Sequence, residues 1–208
     1  MKEFNFIFWD FDGVIKDSIE VKTQAFVRLF QPFGPGVAER VREHHEANGG
    51  MSRFDKLPIY LRWAGEEASE FRVNDFCDQF SQLVLQGVIE APWVPGVEDF
   101  LRSNFYQQTF VLVSATPQDE LKQILLALDL TACFAEVFGA PTRKKDAIRM
   151  TLADHGVDPQ ACLMIGDAGA DLEAAQANQV PFLLRRHETN AKVFADYAGP
   201  FIKDFTAL

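Results

Sequence analysis

The stretch F-N-F-I-F-W-D-F-D-G-V, residues 4–14, begins as a strand and ends in two acids. Phe4, Phe6 and Phe8 alternate along it, and Ile7 and Trp9 fill the other face, which is the period of two that a pleated, buried strand requires. Such a run should close on a turn residue and pass into a polar loop. Instead Asp10 and Asp12 stand two apart at the mouth of an apolar element.

The whole chain sets the limits. Its 208 residues suffice for one domain with a sizeable core, or for a core carrying a smaller inserted module. With 48% hydrophobic and 24% charged residues it has the composition of a folded globular protein. A formal net charge of -10 and the lack of any dense Lys/Arg run argue against nucleic acid or an anionic membrane surface as partner. No uncharged stretch reaches membrane-spanning length, and the start MKEFNF does not read as a secretory leader. Cys77, Cys133 and Cys162 are widely spaced, as reduced thiols of a cytoplasmic protein would be.

Two textures alternate along the chain. Short apolar runs occur at residues 4–9, 109–113, 135–138, 162–165 and 181–184. Between the later ones lie amphipathic segments at 117–128, 145–155 and 171–178. Near-continuous apolar strands alternating with helices predict an α/β fold, a doubly wound parallel sheet. Residues 18–90 carry helical periodicity only, so the reading is a core of residues 1–15 and 91–208 interrupted by an all-helical insert at 16–90. Thr116 is expected to cap the helix that follows it, with Pro117 in the first helical position, and Gly156 to end the helix from Lys145.

In an open parallel sheet the carboxyl ends of the strands form the ligand-binding edge. The polar residues at those ends are Asp10 and Asp12 after the first run, Ser114 after TFVLV, Lys144 before a helix, and Asp167 and Asp171 in GDAGAD. Four carboxylates on one rim repel one another unless a cation joins them. Oxygen donors without His or Cys favour Mg²⁺, which seldom sits in an all-protein cage and usually shares its shell with water and phosphate. That points to phosphoryl chemistry. Taken one at a time, the same residues read as strand ends, turns and helix caps.

FWDFDGV, LVSATP, Lys144 and MIGDAGAD resemble, in that order and spacing, the four motifs of the haloacid dehalogenase-like (HAD) superfamily. The resemblance implies a Rossmann-like core with an α-helical cap between the first two motifs. It implies that Asp10 is the nucleophile that forms an aspartyl phosphate and that Asp12 is the general acid and base. It makes Ser114 a phosphoryl contact, with Ala115 beside it, and Lys144 the cation that neutralises the transferring group. Lys145 adjoins Lys144, and the spacing from GAP to Ile148 prefers Lys144. Mg²⁺ would be bound by Asp10, the backbone carbonyl of Asp12 and Asp167, with Asp171 acting directly or through a water. An acid at the position of Asp12 favours phosphate esters over carbon–halogen bonds.

The insert is expected to select the substrate. NGGMSRFDKL places Gly49 and Gly50 before Ser52, a helix cap with Asp55 three positions on, and sets Arg53 and Lys56 beside exposed helix amides. Gly50, Ser52, Arg53 and Lys56 are therefore candidate substrate contacts, with Phe54, Tyr60 and Trp63 as aromatic neighbours. Arg53 is expected to reach the substrate when the cap closes. His44 and His45 read as a solvated helix face. The same motifs resemble sugar-phosphate mutases, but Lys22 stands where that branch has a His. The expectation is a Mg²⁺-dependent phosphatase acting on a small phosphorylated metabolite, a sugar phosphate or a phosphoglycolate-like acid. A sugar-phosphate phosphomutase and a catalytically idle protein of the same fold are the alternatives.

Overall fold

A computed structural model describes residues 1–207. Strand β1, Phe6–Trp9, pairs in parallel with β2, Thr109–Pro117, on one side and with β4, Cys162–Gly166, on the other. Outside them lie β3, Glu136–Ala140, and β5, Phe182–Arg185, and the two-residue strand β6, Phe201–Ile202, completes the parallel sheet in the order β3-β2-β1-β4-β5-β6. The first strand is shorter than its apolar run: Phe4 and Asn5 stay outside it, and the Asn5 amide donates to Ala161 O at 2.9 Å. Phe201–Ile202 gives too short an apolar signal to be read as a strand in sequence.

Both faces of the sheet are covered, and the side-chain period of two divides them. Ile7, Trp9, Phe110, Leu112, Leu163 and Ile165 point into one cluster, where α5, Val97–Ser103, and α6, Gln118–Ala127, supply Leu101, Leu121 and Ile124. Phe8, Val111, Val113 and Met164 point into the other, against Ala147 and Ile148 of α7, Lys144–His155, and Ala174 and Ala175 of α8, Gly169–Ala177. Each fully buried large side chain contributes roughly 1.5–3 kcal/mol. Strands buried on both faces leave only their ends free for polar chemistry.

Between β1 and β2 the chain forms α1, Ile19–Phe30, α2, Pro35–Ala47, α3, Arg53–Trp63, and α4, Glu70–Glu90. Their apolar faces bring Phe26, Phe30, Val41, Leu57, Tyr60, Phe76, Phe80 and Val84 into one cluster, continuous with the α5–α6 face of the sheet. Tyr60 meets Phe26 and Phe30 edge-on, with ring centroids 5.4 and 5.6 Å apart, so it fills the interior of the helices. Trp63 lies under the Arg40 guanidinium, 3.9 Å from the ring centre. The twenty phenylalanines are largely core, as an apolar composition predicts. The chain leaves β1 and returns toward β2 through adjacent backbone: Asp17 N donates to Pro92 O at 2.8 Å and Val94 N to Ile15 O at 3.0 Å. Among the described residues no helix is long and apolar enough to cross a membrane.

Helix ends follow local rules with one correction. Ser52 accepts from Phe54 N at 3.3 Å and caps α3, and Gly156, with φ of 60°, ends α7 in the left-handed conformation. Thr116 does not cap α6. It remains in β2, Pro117 takes the capping position and the helix begins at Gln118, because the Thr116 hydroxyl is engaged at the sheet edge instead.

Candidate active site

The carboxyl ends of β1 and β4 bring Asp10, Asp167 and Asp171 together. One oxygen from each lies within 4.8 Å of the others, and all three side chains are buried. Asp10 follows β1 directly and accepts from Phe11 N at 2.7 Å. Lys144, the first residue of α7, places its ammonium 2.8 Å from Asp10 and 2.5 Å from Asp171, whereas Lys145 faces solvent. Lys144 is thus the lysine of the pair that reaches the rim. Asp171 lies in the first turn of α8, where its other oxygen accepts from Ala168 N at 3.0 Å and Asp167 N at 3.3 Å. It is both a helix-terminus acceptor and a member of the acidic group.

Close approach of these groups depends on glycine. Gly13 has φ of 76°, and a Cβ there would lie 2.3 Å from the Asp167 carboxylate. At Gly166 a Cβ would lie 2.3 Å from that of Asp171.

The charges are balanced by environment. Burial, and then the Asp171 charge, pushes the Asp10 carboxyl up to about 7 against the pull of Lys144. Burial also raises Asp167 and Asp171, each opposed by a cationic neighbour. Lys144 is itself raised, because Asp10 and Asp171 outweigh the burial that disfavours its charge. Three buried, oxygen-only donors whose ionisation is resisted fit a hard divalent cation such as Mg²⁺.

Asp12 behaves differently. Its carboxylate is turned from the trio toward α1, where it accepts from Ser18 Oγ at 2.6 Å, forms an ion pair with Lys22 and accepts from Thr116 Oγ1 at 3.2 Å. Burial would raise this carboxyl, but the Lys22 ammonium outweighs it and holds Asp12 below its ordinary value. Lys22 also donates to Thr116 Oγ1 at 2.8 Å, so it ties α1 to the ends of β1 and β2. Of the four acids read as one group, three converge through their carboxylates and the fourth faces the helices.

The cleft over this rim has a free volume of about 100 Å³ and is lined by Asp10, Asp12, Lys144 and Asp167 below and by Lys22, Arg53 and Lys56 above. Gly50 and Ala115 border it. Ser52 and Ser114 border a wider, adjoining cleft instead. Ser114 is buried and its hydroxyl accepts from Thr116 N at 3.1 Å. The aromatic rings at the rim cleft are Phe26 and Phe80, and Phe54, Tyr60 and Trp63 do not line it.

Two residues of the helical wall have partners that the sequence does not indicate. The Arg53 guanidinium makes paired hydrogen bonds of 2.8 and 2.7 Å to Glu120 of α6, which Ser81 Oγ also meets at 2.7 Å. Arg53 is already satisfied inside the protein. His45 is buried, not solvated: it packs on Phe26 at 4.9 Å between ring centres, and its Nδ1 accepts from Lys56 Nζ at 2.8 Å. His187, in the loop after β5, belongs to none of the sequence motifs. Its Nε2 lies 2.8 Å from Asp167, and Asn190 Nδ2 donates to Asp167 O at 2.8 Å. Only a lone histidine twenty residues beyond Asp167 signals this contact in sequence.

Residues 7–184 match the family described as haloacid dehalogenase-like hydrolase. The chain belongs to that family. Among relatives of this haloacid dehalogenase-like hydrolase is a phosphoglycolate phosphatase of Aliivibrio fischeri, 29% identical over an alignment covering 85% of this chain and 81% of that one. Solved structures with the same fold include β-phosphoglucomutase from Clostridium difficile, with a TM-score of 0.75 at 20% identity over 99% of this chain and 93% of that one. CbbY from Rhodobacter sphaeroides, in complex with xylulose-(1,5)bisphosphate, superposes with a TM-score of 0.78 at 16% identity over 99% and 96%. The acidic strand ends therefore sit in the α/β framework of a hydrolase family whose relatives include phosphatases.

Proposed function

We propose that this hydrolase is a Mg²⁺-dependent phosphatase of small phosphorylated metabolites, with residues 16–90 serving as its cap, and that it acts in the cytoplasm. The observation that carries the reading is the buried Asp10 carboxylate at the end of β1, facing Lys144 and joined within 4.8 Å by Asp167 and Asp171. Three free cysteines suit a reducing compartment.

Asp10 attacks phosphorus, forming an oxygen–phosphorus bond as the bond to the departing alcohol breaks. Asp12 gives that alcohol its proton, and in the second step takes one from the water that attacks the aspartyl phosphate, so that inorganic phosphate leaves and Asp10 is restored. Lys22 holds Asp12 ionised, the state needed for the second step. Asp12 must gain a proton before the first, so Lys22 sets the balance between the two. Lys144 meets charge building on the phosphoryl oxygens, and Ser114, next in the chain to the cleft-lining Ala115, would donate its hydroxyl to one of them. Asp10, Asp167, Asp171 and the backbone carbonyl of Asp12 would hold Mg²⁺, which when bound neutralises charge on phosphate and carboxylate alike. His187 and Asn190 fix Asp167 in place.

Lys22 also weighs against the phosphomutase alternative, because an ammonium tied to Asp12 and Thr116 cannot take the part of a free imidazole. The test is phosphate release from a panel of sugar phosphates and phosphorylated acids. Wild type should release phosphate, and Asp10→Asn should lower turnover by more than 10⁴-fold while folding normally. An isomerised product without release would indicate a mutase. Turnover of the variant within tenfold of wild type would remove the covalent route.

A further inference from the structure

The cations around the rim cleft are not equivalent. Lys144 is paired with Asp10 and Asp171, Lys22 with Asp12, and Arg53 with Glu120. Lys56 has no carboxylate within 4.0 Å among the described residues, although its side chain is only 1% exposed. Its one polar neighbour is His45 Nδ1, and the face of Phe26 lies 5.8 Å from the ammonium. Burial, then the nearby Lys22, lowers Lys56 to about 7, and burial together with Lys56 keeps the His45 imidazole well below its usual value. His45 therefore accepts and Lys56 donates, which fixes the direction of the lysine without neutralising it.

A buried ammonium with an uncharged partner is an unfavourable arrangement unless something else supplies the opposite charge. Both residues line the same cleft as Asp10 and Asp12. Resting on the phosphatase reading, we infer that Lys56, steadied by His45, receives a second anionic group of the substrate, a carboxylate at the end remote from the phosphate. Lys56 lines the same cleft as Asp10 and Lys144, so the phosphate and the carboxylate of the substrate lie within that one cleft. The substrate class is then the phosphate ester of a small hydroxy acid, in preference to a sugar monophosphate. Arg53 and Lys22 do not compete for the carboxylate, because each already holds one.

A matched pair of esters isolates the group: 2-phosphoglycolate and 2-hydroxyethyl phosphate differ only in carboxylate against hydroxymethyl. Wild type should prefer the acid by at least 100-fold in kcat/KM. Lys56→Met should lose about 100-fold on the acid, change less than threefold on the alcohol, and melt no lower than wild type, since the change removes an unpaired buried charge. Lys56→Arg should keep the preference within tenfold. No preference in wild type, equal losses on both esters, or a lower Tm in Lys56→Met would overturn the inference and leave Lys56 a structural residue. If wild type hydrolyses neither ester, the phosphatase reading is what fails for these compounds, and calorimetry reads the subsite separately. Binding of 2-phosphoglycolate at least tenfold weaker to Lys56→Met than to wild type would uphold it, and equal binding would overturn it.

Discussion

The rim of the sheet and the helical wall above it carry comparable numbers of charged residues but hold them by different means. On the rim, Asp10, Lys144, Asp167 and Asp171 take their positions from strand ends and helix starts whose registers the core enforces. On the wall, Lys22, His45, Arg53 and Lys56 sit on helices that have no register with the sheet, and partners distant in sequence decide where each points. Rim positions are thus local consequences of the chain, whereas wall positions are tertiary consequences. The first set suits chemistry and the second suits selection.

The comparison breaks most visibly at Asp12, which is rim by sequence and wall by contact. Asp12→Ala should slow esters of poor leaving groups by about 10²–10⁴-fold and an activated aryl phosphate far less, because a good leaving group needs little protonation. Steady-state kinetics on both substrates decide it, and equal losses would take Asp12 out of proton transfer.

A smaller effect is expected where wall and sheet side are joined. Arg53→Met strands Glu120 without its cation among buried neighbours and should cost about 3–5 kcal/mol of stability, measured by denaturant unfolding. The double variant Arg53→Met/Glu120→Leu should regain most of it. If the single variant is as stable as wild type but loses substrate, Arg53 leaves Glu120 to bind ligand and the static pairing misrepresents its task.

The smallest effect concerns charge on the rim. Asp10 is raised to about 7 and Asp167 and Asp171 are raised above their ordinary carboxyl values, so without metal the trio retains protons at pH values where free carboxyls have lost theirs. That stability contribution is present at low pH and lost as pH climbs through the folded-state values, since the unfolded chain then binds fewer protons than the native one. Cation binding must displace those protons, so the gain in Tm on adding Mg²⁺ should be larger at pH 8 than at pH 5. Thermal scans at the two pH values test this, and an equal gain would argue against the trio as the binding group.

Much of the rim was legible. The alternation in residues 4–9, the apolar TFVLV and CLMI runs and the polar residue after each define strand ends, and a parallel sheet collects those ends on one edge. Even so, Thr116 reads as a cap. A threonine before a proline satisfies that rule locally, and only its hydroxyl meeting Asp12 and Lys22 from other elements reveals the stronger claim. On the wall, NGGMSRFDKL announced its helix start correctly, but not the destination of Arg53. Glu120, its partner, lies sixty-seven residues on and looks like an ordinary acid in a first helical turn. His45 on a charged helix reads as solvated because the residues that bury it, Phe26 and Lys56, come from two other helices.

The adjacent passages at Ile15 to Asp17 and Pro92 to Val94 carry a further implication. A segment that departs and comes back through one doorway can be lengthened, trimmed or exchanged while the strand registers stay as they are, and chain entropy charges little for the extra length. The four helices are in this respect a removable cassette. Descent can rewrite what the rim faces while the strand ends beneath keep their places, provided the exchanged helices still bring partners to Asp12 and Glu120, and an engineer could make the same exchange at the same two joints.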